Sequence, residues 1–134
     1  MFKISEVSQK LQIPVPTIRY YTDLDLIPNL KRNSEEQRIF DDEDLVWLKG
    51  IKFFRELGMP LPEIKSYIKL CQKHGPVSIK KRYAVLLEQQ QRAQESLNES
   101  KLHLNQIEHR LKLTEQIMNG KKRDSLSAAR RFCQ

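Results

Sequence analysis

Residues 13–28 read IPVPTIRYYTDLDLIP, and this stretch decides the fold. Proline lacks a backbone donor and restricts the residue before it, so Pro14 ends a short helix that we predict over residues 5–11. Pro16 suits the first turn of a second helix, which we predict to continue to Leu24. Two short helices joined by a tight turn form a helix-turn-helix. The sequence therefore predicts this motif at the start of the chain.

Downstream of this motif, the pattern predicts a small hairpin and two further helices. Residues 29–40, NLKRNSEEQRIF, place turn-forming residues between two short extended segments. Acidic residues 41–44 precede apolar residues at helical spacing, which predicts a third helix that ends before Gly58. Two prolines then introduce a fourth helix over residues 62–72. The predicted fold class is mainly α, with a winged helix-turn-helix and a small β-hairpin wing in residues 1–75.

Residues 76–120 are predicted to form a second domain that consists of one long helix. No proline follows Pro76, and no glycine occurs between it and Gly120. About 42 residues can therefore form an uninterrupted helix of roughly 63 Å. Apolar residues recur at both heptad positions, which is the pattern of a two-stranded coiled coil. Because so long a helix cannot bury its apolar stripe alone, we expect a homodimer. The residues expected in its seam are Tyr83, Leu86, Leu97, Leu104, Ile107, Leu111 and Met118.

The long helix has two alternative arrangements. A hairpin folded back within one chain would also bury the stripe, but the segment lacks a turn residue to form it. Parallel and antiparallel pairing both stay open, because the heptads do not fix the direction. Residues 121–134 are expected to form a short basic tail.

Charge and composition favour a nucleic-acid partner. The chain has 134 residues and a formal net charge of +7, and excess positive charge favours polyanions. Residues 1–75 carry 12 Lys and Arg against 11 Asp and Glu, whereas residues 76–134 carry 12 against 6.

No apolar run approaches the roughly 18 residues of a membrane span, and the N-terminus lacks a signal-peptide pattern. We therefore expect a cytoplasmic protein without a membrane partner.

The residue types argue against catalytic and metal chemistry. An enzyme needs a nucleophile with its base, a metal cluster or a phosphate-binding loop, and the three histidines and two cysteines are too scattered to form one. Cys71 and Cys133 lie far apart, unlike the clustered pairs of zinc sites. His103 and His109 fall on nearly opposite sides of a helix. We expect no enzymatic activity, no metal site and no cofactor.

A set of motifs occurs in the order found in one family of regulators. These are IRYY at residues 18–21, LIP at residues 26–28, RIF at residues 38–40 and LGMPLPEIK at residues 57–65. From residue 2 to about residue 70, the chain resembles MerR-family transcription regulators. The resemblance implies a homodimer that binds double-stranded promoter DNA at a pseudo-palindromic operator. It also implies that the dimer distorts the DNA and so acts indirectly on RNA polymerase.

The resemblance assigns roles to side chains of the second helix and the hairpin. Arg19 and Tyr20 are expected to contact DNA, largely its backbone. Val15 and Thr17, at the start of the recognition helix, are candidates for contacts with base edges in the major groove. Tyr21 is expected to pack in the core. The clamps on the flanking backbone are expected to be Lys31, Arg32 and Arg38 of the hairpin, with Lys65 of the fourth helix.

The sequence says less about which effector such a regulator would bind. Few residues follow the long helix, so we expect a short family member without a C-terminal effector-binding domain. Metal-sensing relatives carry a cysteine pair after the dimer helix, and this chain has only Cys133 there. The remaining hypothesis is a pocket for a small effector formed by Tyr67, Cys71 and Tyr83, where the fourth helix meets the long one. A redox role for either cysteine stays open.

Two other functions stay open as alternatives. A coiled-coil adaptor would use the long helix but would leave the IRYY motif and the hairpin without a role. A non-switching architectural DNA-binding protein would use both parts without controlling transcription.

Overall fold

The structure is a computed structural model that describes residues 1–125. Within that range it contains five helices and a three-stranded antiparallel sheet. The elements are β1 (Phe2–Lys3), α1 (Ile4–Leu11), α2 (Val15–Asp23), β2 (Lys31–Arg32), β3 (Arg38–Phe40), α3 (Asp42–Glu56), α4 (Leu61–Cys71) and α5 (Pro76–Met118). The predicted winged helix-turn-helix followed by a long helix is confirmed. Cys133 and most of the predicted tail lie outside the described residues.

The chain divides into two units, Met1–Gln89 and the residues from Gln90 onward. The first unit contains the sheet, the first four helices and the start of α5. The division into a DNA-binding domain of residues 1–75 and a dimerisation helix of residues 76–120 stays a prediction.

The helix-turn-helix forms where the prolines predicted it. α2 begins after Pro14, whose backbone is extended, and Pro16 occupies its first turn. Ser8 of α1 donates from its hydroxyl to the carbonyl of Ile13 at 2.6 Å, which closes the turn between the helices. α1 and α2 bury one apolar stripe each, because the residues that face the core recur at helical spacing. The buried residues are Val7, Leu11, Ile18 and Tyr21.

The end of α2 has the geometry of a Schellman cap. The N–H of Asp25 donates to the carbonyl of Thr22 at 3.0 Å, and the N–H of Leu26 donates to the carbonyl of Tyr21 at 3.2 Å. This cap requires a left-handed residue, usually glycine, and Asp25 adopts it with a φ of 58°. Leu26 and Tyr21 are both buried, so the residue after the left-handed one is anchored in the core.

The sheet has one strand more than the predicted hairpin. β3 lies in the centre and pairs antiparallel with both β2 and β1, and Phe2 lies opposite Phe40. The turn between β2 and β3 forms without glycine because the side-chain oxygen of Asn33 accepts from the backbone N–H groups of Glu35 and Gln37 at 3.0 and 2.9 Å. Glu36 adopts a φ of 61° in this turn. β1 is not predicted from the sequence, because a two-residue strand has no recognisable alternation.

α3 begins with a reciprocal cap between two aspartates. The Asp44 N–H donates to the Asp41 carboxylate at 2.8 Å, and the Asp41 N–H donates to the Asp44 carboxylate at 3.0 Å. The hydrogen bond from the Asp44 backbone lowers the pKa of Asp41, whereas burial raises the pKa of Asp44. The helix ends at Glu56, before Gly58 as predicted, and Gly58 has a φ of 87°.

The core lies between the four short helices and β3. Phe40, Leu48 and Ile64 are fully buried in its centre, and α4 adds Ile68 on its inner face. The start of α5 is fixed to this unit by Ser78, which donates from its hydroxyl to the carbonyl of Leu70 at 2.7 Å.

α5 uses one stripe of its first part to contact its own unit. Ser78 and Gln89 are buried, Arg82 is half-buried and Val85 packs against the core. These residues repeat at spacings of three and four, so they share one face of the helix.

Candidate nucleic-acid interface

α2 divides its side chains between the core and the surface. Ile18 and Tyr21 are buried, which confirms the prediction that Tyr21 packs in the core. Arg19 and Tyr20 are exposed, with 53% of Tyr20 accessible. Arginine presents five donors and the tyrosine hydroxyl one, so this face can bind phosphate oxygens. Val15 and Thr17 lie in the first turn of α2 and are half-buried.

The three cationic side chains of the hairpin each have a partner within the protein. The ammonium of Lys31 lies 3.7 Å from the carboxylate of Asp41. Arg32 donates to the backbone carbonyl of Glu36 at 2.8 Å. Arg38 forms an ion pair with Asp23 at the end of α2. Each of these side chains has more N–H donors than its partner within the protein uses, so it can still donate to a DNA phosphate.

A first cleft, which we call the wing cleft, brings two of the predicted residues together. It has a volume of about 320 Å³ and is lined by Lys3, Ile4, Ser5, Arg19, Glu36, Gln37 and Arg38. Arg19 and Arg38 thus share one cleft although they come from α2 and from the wing. Lys3 also lines it, and the sequence analysis did not single out this residue. No motif marks Lys3, because its place depends on the pairing of β1 with β3.

A second groove, which we call the helix-four groove, is lined in part by Tyr20. It has a volume of about 440 Å³ and is lined by Tyr20, Leu24, Leu26, Arg55, Pro60, Leu61, Pro62 and Lys65. It brings together the predicted Tyr20 and Lys65 and adds Arg55, which also donates to the carbonyl of Met59 at 3.2 Å. Arg55 was missed because a basic residue in the last turn of a helix is ordinary.

The residues predicted for the dimer seam are accessible in the single chain. Their exposed fractions range from 43% for Leu86 to 81% for Met118. The exposed set is Tyr83, Leu86, Leu97, Leu104, Ile107, Leu111 and Met118. Tyr83 and Leu86 lie beside the stripe of α5 that contacts the first unit, so the helix has two adjacent faces with different surroundings.

The three residues of the predicted effector pocket have different surroundings. Tyr67 packs edge-on against Phe54, with ring centroids 5.2 Å apart, and is half-buried. Burial raises the pKa of Tyr67, and the neighbouring Cys71 raises it further. Tyr83, by contrast, is 66% exposed. The structure therefore places two of the three side chains together, and the pocket stays a prediction.

Residues 1–125 contain neither a cluster of metal ligands nor a membrane-spanning helix. In this part of the chain, no three His, Cys, Asp or Glu side chains lie close enough to hold a metal ion. None of the helices described for it is long and apolar enough to cross a bilayer.

The winged helix-turn-helix, the exposed Arg19 and Tyr20 of α2 and the long helix define the class: a helix-turn-helix transcription regulator. The chain belongs to the MerR family, because the model for "MerR HTH family regulatory protein" matches residues 2–71. Its fold and its relatives are those of transcription regulators rather than of enzymes.

Several relatives are similar in sequence or in structure. An HTH-type transcriptional regulator of Haemophilus influenzae is 28% identical over 110 residues, which are 82% of this chain and 81% of the relative. The regulator AdhR of Bacillus subtilis is 30% identical over 89 residues, which are 66% of this chain and 63% of AdhR.

Solved structures agree with this assignment. HiNmlR, described as a MerR family regulator lacking the sensor domain and bound to promoter DNA, has a TM-score of 0.75 and 25% identity, with 96% of this chain and 92% of that chain covered. A MerR family regulator from Bacillus thuringiensis has a TM-score of 0.69 and 27% identity, with 82% and 96% covered.

Proposed function

We propose that the protein binds a pseudo-palindromic operator in promoter DNA as a homodimer and controls transcription by distorting that DNA. α2 enters the major groove, with Val15 and Thr17 near base edges and Arg19 and Tyr20 on the backbone. The observation that carries the proposal is the division of α2, which buries Ile18 and Tyr21 and exposes the arginine and tyrosine between them.

The other cations support contacts beyond α2. They are Lys31, Arg32 and Arg38 of the wing and Lys65 of α4, which lines the helix-four groove together with Tyr20. Basic side chains on these elements can follow the phosphate backbone beyond the groove that α2 occupies. The solved complex of HiNmlR with promoter DNA supports the same kind of partner for this chain.

Pairing through α5 supplies the second DNA-binding unit. The apolar stripe from Tyr83 to Met118 is exposed along the helix, and burial of such a stripe drives helix association. A two-fold symmetric dimer presents the same surface to two half-sites, which requires an inverted repeat in the DNA.

Distortion of the operator gives the dimer its effect on transcription. Bending a duplex site costs on the order of 1–6 kcal/mol, and the flanking contacts supply that free energy. The bend changes how the promoter elements face RNA polymerase, so the protein acts on the polymerase indirectly and in the cytoplasm, where the promoter lies. A small effector bound near Tyr67 and Cys71 would alter this geometry through the junction of α4 and α5.

Footprinting on the DNA upstream of its own gene tests the proposal. We expect two protected half-sites related by inversion, with altered cleavage between them, and affinity that falls as salt rises. Arg19→Ala should lose this protection, whereas Lys112→Ala, which removes the same charge from exposed α5, should keep it. Equal binding to the fragment and to a scrambled repeat would contradict operator recognition and favour an architectural role.

In vitro transcription from the same fragment separates regulation from simple binding. We expect the protein to change transcript yield from the intact inverted repeat and not from a fragment with one half-site scrambled. An adaptor that works only through α5 would change neither yield.

A further inference from the structure

The wing cleft has the charge and the shape of an anion site. Lys3, Arg19 and Arg38 line it together with a single carboxylate, that of Glu36, so the charged lining is +3 and −1. Its volume of about 320 Å³ is well above the roughly 10–15 Å³ that a single water molecule needs. This room admits a tetrahedral anion together with a few waters.

The three cations come from different parts of the fold and converge on the cleft. Lys3 follows the first residue of β1, Arg19 lies on α2 and Arg38 begins β3. Within residues 1–125, neither the Lys3 ammonium nor the Arg19 guanidinium has a hydrogen bond or an ion pair. Both groups are therefore available to an anion that enters the cleft.

Arg38 is held in place by a carboxylate at the end of α2. One guanidinium nitrogen of Arg38 bonds to Asp23, while the side chain of Arg38 also lines the cleft. A guanidinium has five N–H donors, so the bond to Asp23 leaves others for an anion. Holding the side chain in advance reduces the conformational entropy that binding would otherwise cost.

We propose that the wing cleft seats one DNA backbone phosphate, which Lys3 and Arg19 contact together with Arg38, and that Asp23 is the residue that positions Arg38. This inference rests on the proposed binding of operator DNA and adds to it a contact, Lys3, and a positioning residue, Asp23. A backbone phosphate is favoured over a free anion because Arg19 lies on the helix that enters the major groove.

The carboxylate of Glu36 is expected to oppose the binding of a phosphate in the wing cleft. It lines the same cleft as the three cations and therefore repels a phosphate seated there. Removing this charge should strengthen DNA binding, whereas removing the charge of Lys3 should weaken it. Glu35 is the matched control, because it is exposed in the same turn and does not line the cleft.

Binding of a labelled operator fragment across a series of salt concentrations tests the cleft. We expect Lys3→Gln to weaken binding about tenfold and to reduce the salt slope by about one. Lys10→Gln is the control for charge, because the ammonium of Lys10 lies 4.9 Å from the ring centroid of Phe2 and not in the cleft. We expect Glu36→Gln to bind severalfold tighter than Glu35→Gln.

The positioning role of Asp23 makes a prediction that runs against simple charge. Asp23→Asn removes a negative charge, yet we expect severalfold weaker operator binding because Arg38 loses its anchor, and we expect Asp23→Glu to recover most of the affinity. Thermal unfolding of each variant shows whether the fold is intact. Tighter binding by Asp23→Asn would overturn the positioning role and make Asp23 a competitor for Arg38.

The outcomes separate the cleft from the proposed function. If the wild-type protein binds the inverted repeat and Lys3→Gln matches Lys10→Gln in affinity and salt slope, the phosphate seat is wrong and operator binding stands. If the wild-type protein binds no duplex at low salt, both fall. Inorganic phosphate should compete with DNA only at concentrations far above those of the operator; strong competition that Lys3→Gln abolishes would instead assign the cleft to a free anion.

Discussion

Replacing Leu104 with lysine tests the seam of α5 most directly. Leu104 lies in the middle of the exposed stripe, and 56% of it is accessible in the single chain. Burying a whole leucine side chain contributes roughly 1.5–3 kcal/mol. The accessible half of Leu104 therefore contributes about 1–1.5 kcal/mol in each protomer, or about 2–3 kcal/mol in the dimer.

This free energy predicts a large change in dimer affinity. At about 1.4 kcal/mol for each factor of ten, the loss corresponds to a dimer dissociation constant roughly 30- to 100-fold higher. Lysine adds the cost of removing an ammonium from water, so the measured change should lie at the upper end of this range. Sedimentation velocity over a range of protein concentrations measures the dissociation constant.

Leu102→Lys is a matched control for the same measurement. Leu102 is also 56% exposed, and a separation of two residues rotates it by about 200° around the helix, away from the stripe. We expect this variant to dimerise as the wild type does. A dimer that survives Leu104→Lys and dissociates in Leu102→Lys would refute the assignment of the seam.

Three further substitutions test the DNA contact, the cap of α2 and the cap of α3. We expect Arg19→Ala to weaken operator binding by roughly 1–3 kcal/mol in fluorescence anisotropy while sedimentation still shows the dimer; unchanged affinity would remove Arg19 from the interface. Asp25→Gly should raise the free energy of unfolding in urea by about 0.5 kcal/mol, because glycine adopts a φ near 58° without strain; a loss of stability would show that the Asp25 side chain contributes more than its backbone strain costs. The folded-state pKa of Asp41 lies below its ordinary 3.8 because the Asp44 N–H bonds to it, so its ionised form stabilises the fold above pH 3.8 and this contribution is lost as the pH falls through the lowered value. The difference in unfolding free energy between wild type and Asp41→Asn should therefore be present at neutral pH and shrink well below pH 3.8, and a difference independent of pH would contradict this cause.

The helices could be predicted because their signals are local. Prolines before α2 and α4, acids before α3 and Gly58 after it fix boundaries within a residue or two of those observed. The hairpin was also predicted, although its turn relies on hydrogen bonds to the side chain of Asn33 rather than on glycine. β1 could not be predicted, because its pairing with β3 joins residues that are far apart in the sequence.

The site was predicted less completely than the fold. The resemblance and the residue types selected Arg19 and Arg38, which the structure brings together with Lys3 in the wing cleft, and Tyr20, which lines the helix-four groove. The partner of Arg38 was not predictable, since nothing local links it to Asp23, fifteen residues away. Such a partner depends on how α2 and the wing pack, which is a property of the tertiary structure.

The cap of α2 shows which residues can determine where a helix ends. Both α2 and α3 end with the same pair of backbone hydrogen bonds, one around Asp25 and the other around Gly58. What the two ends share is the following residue, Leu26 or Met59, each about 1% exposed. A search for glycine as the helix-ending residue would miss the end of α2. A search for an apolar residue that becomes buried directly after the left-handed residue would find the ends of both α2 and α3. The end of a helix in this fold therefore depends on the buried residue after the left-handed one, and not only on the left-handed residue itself.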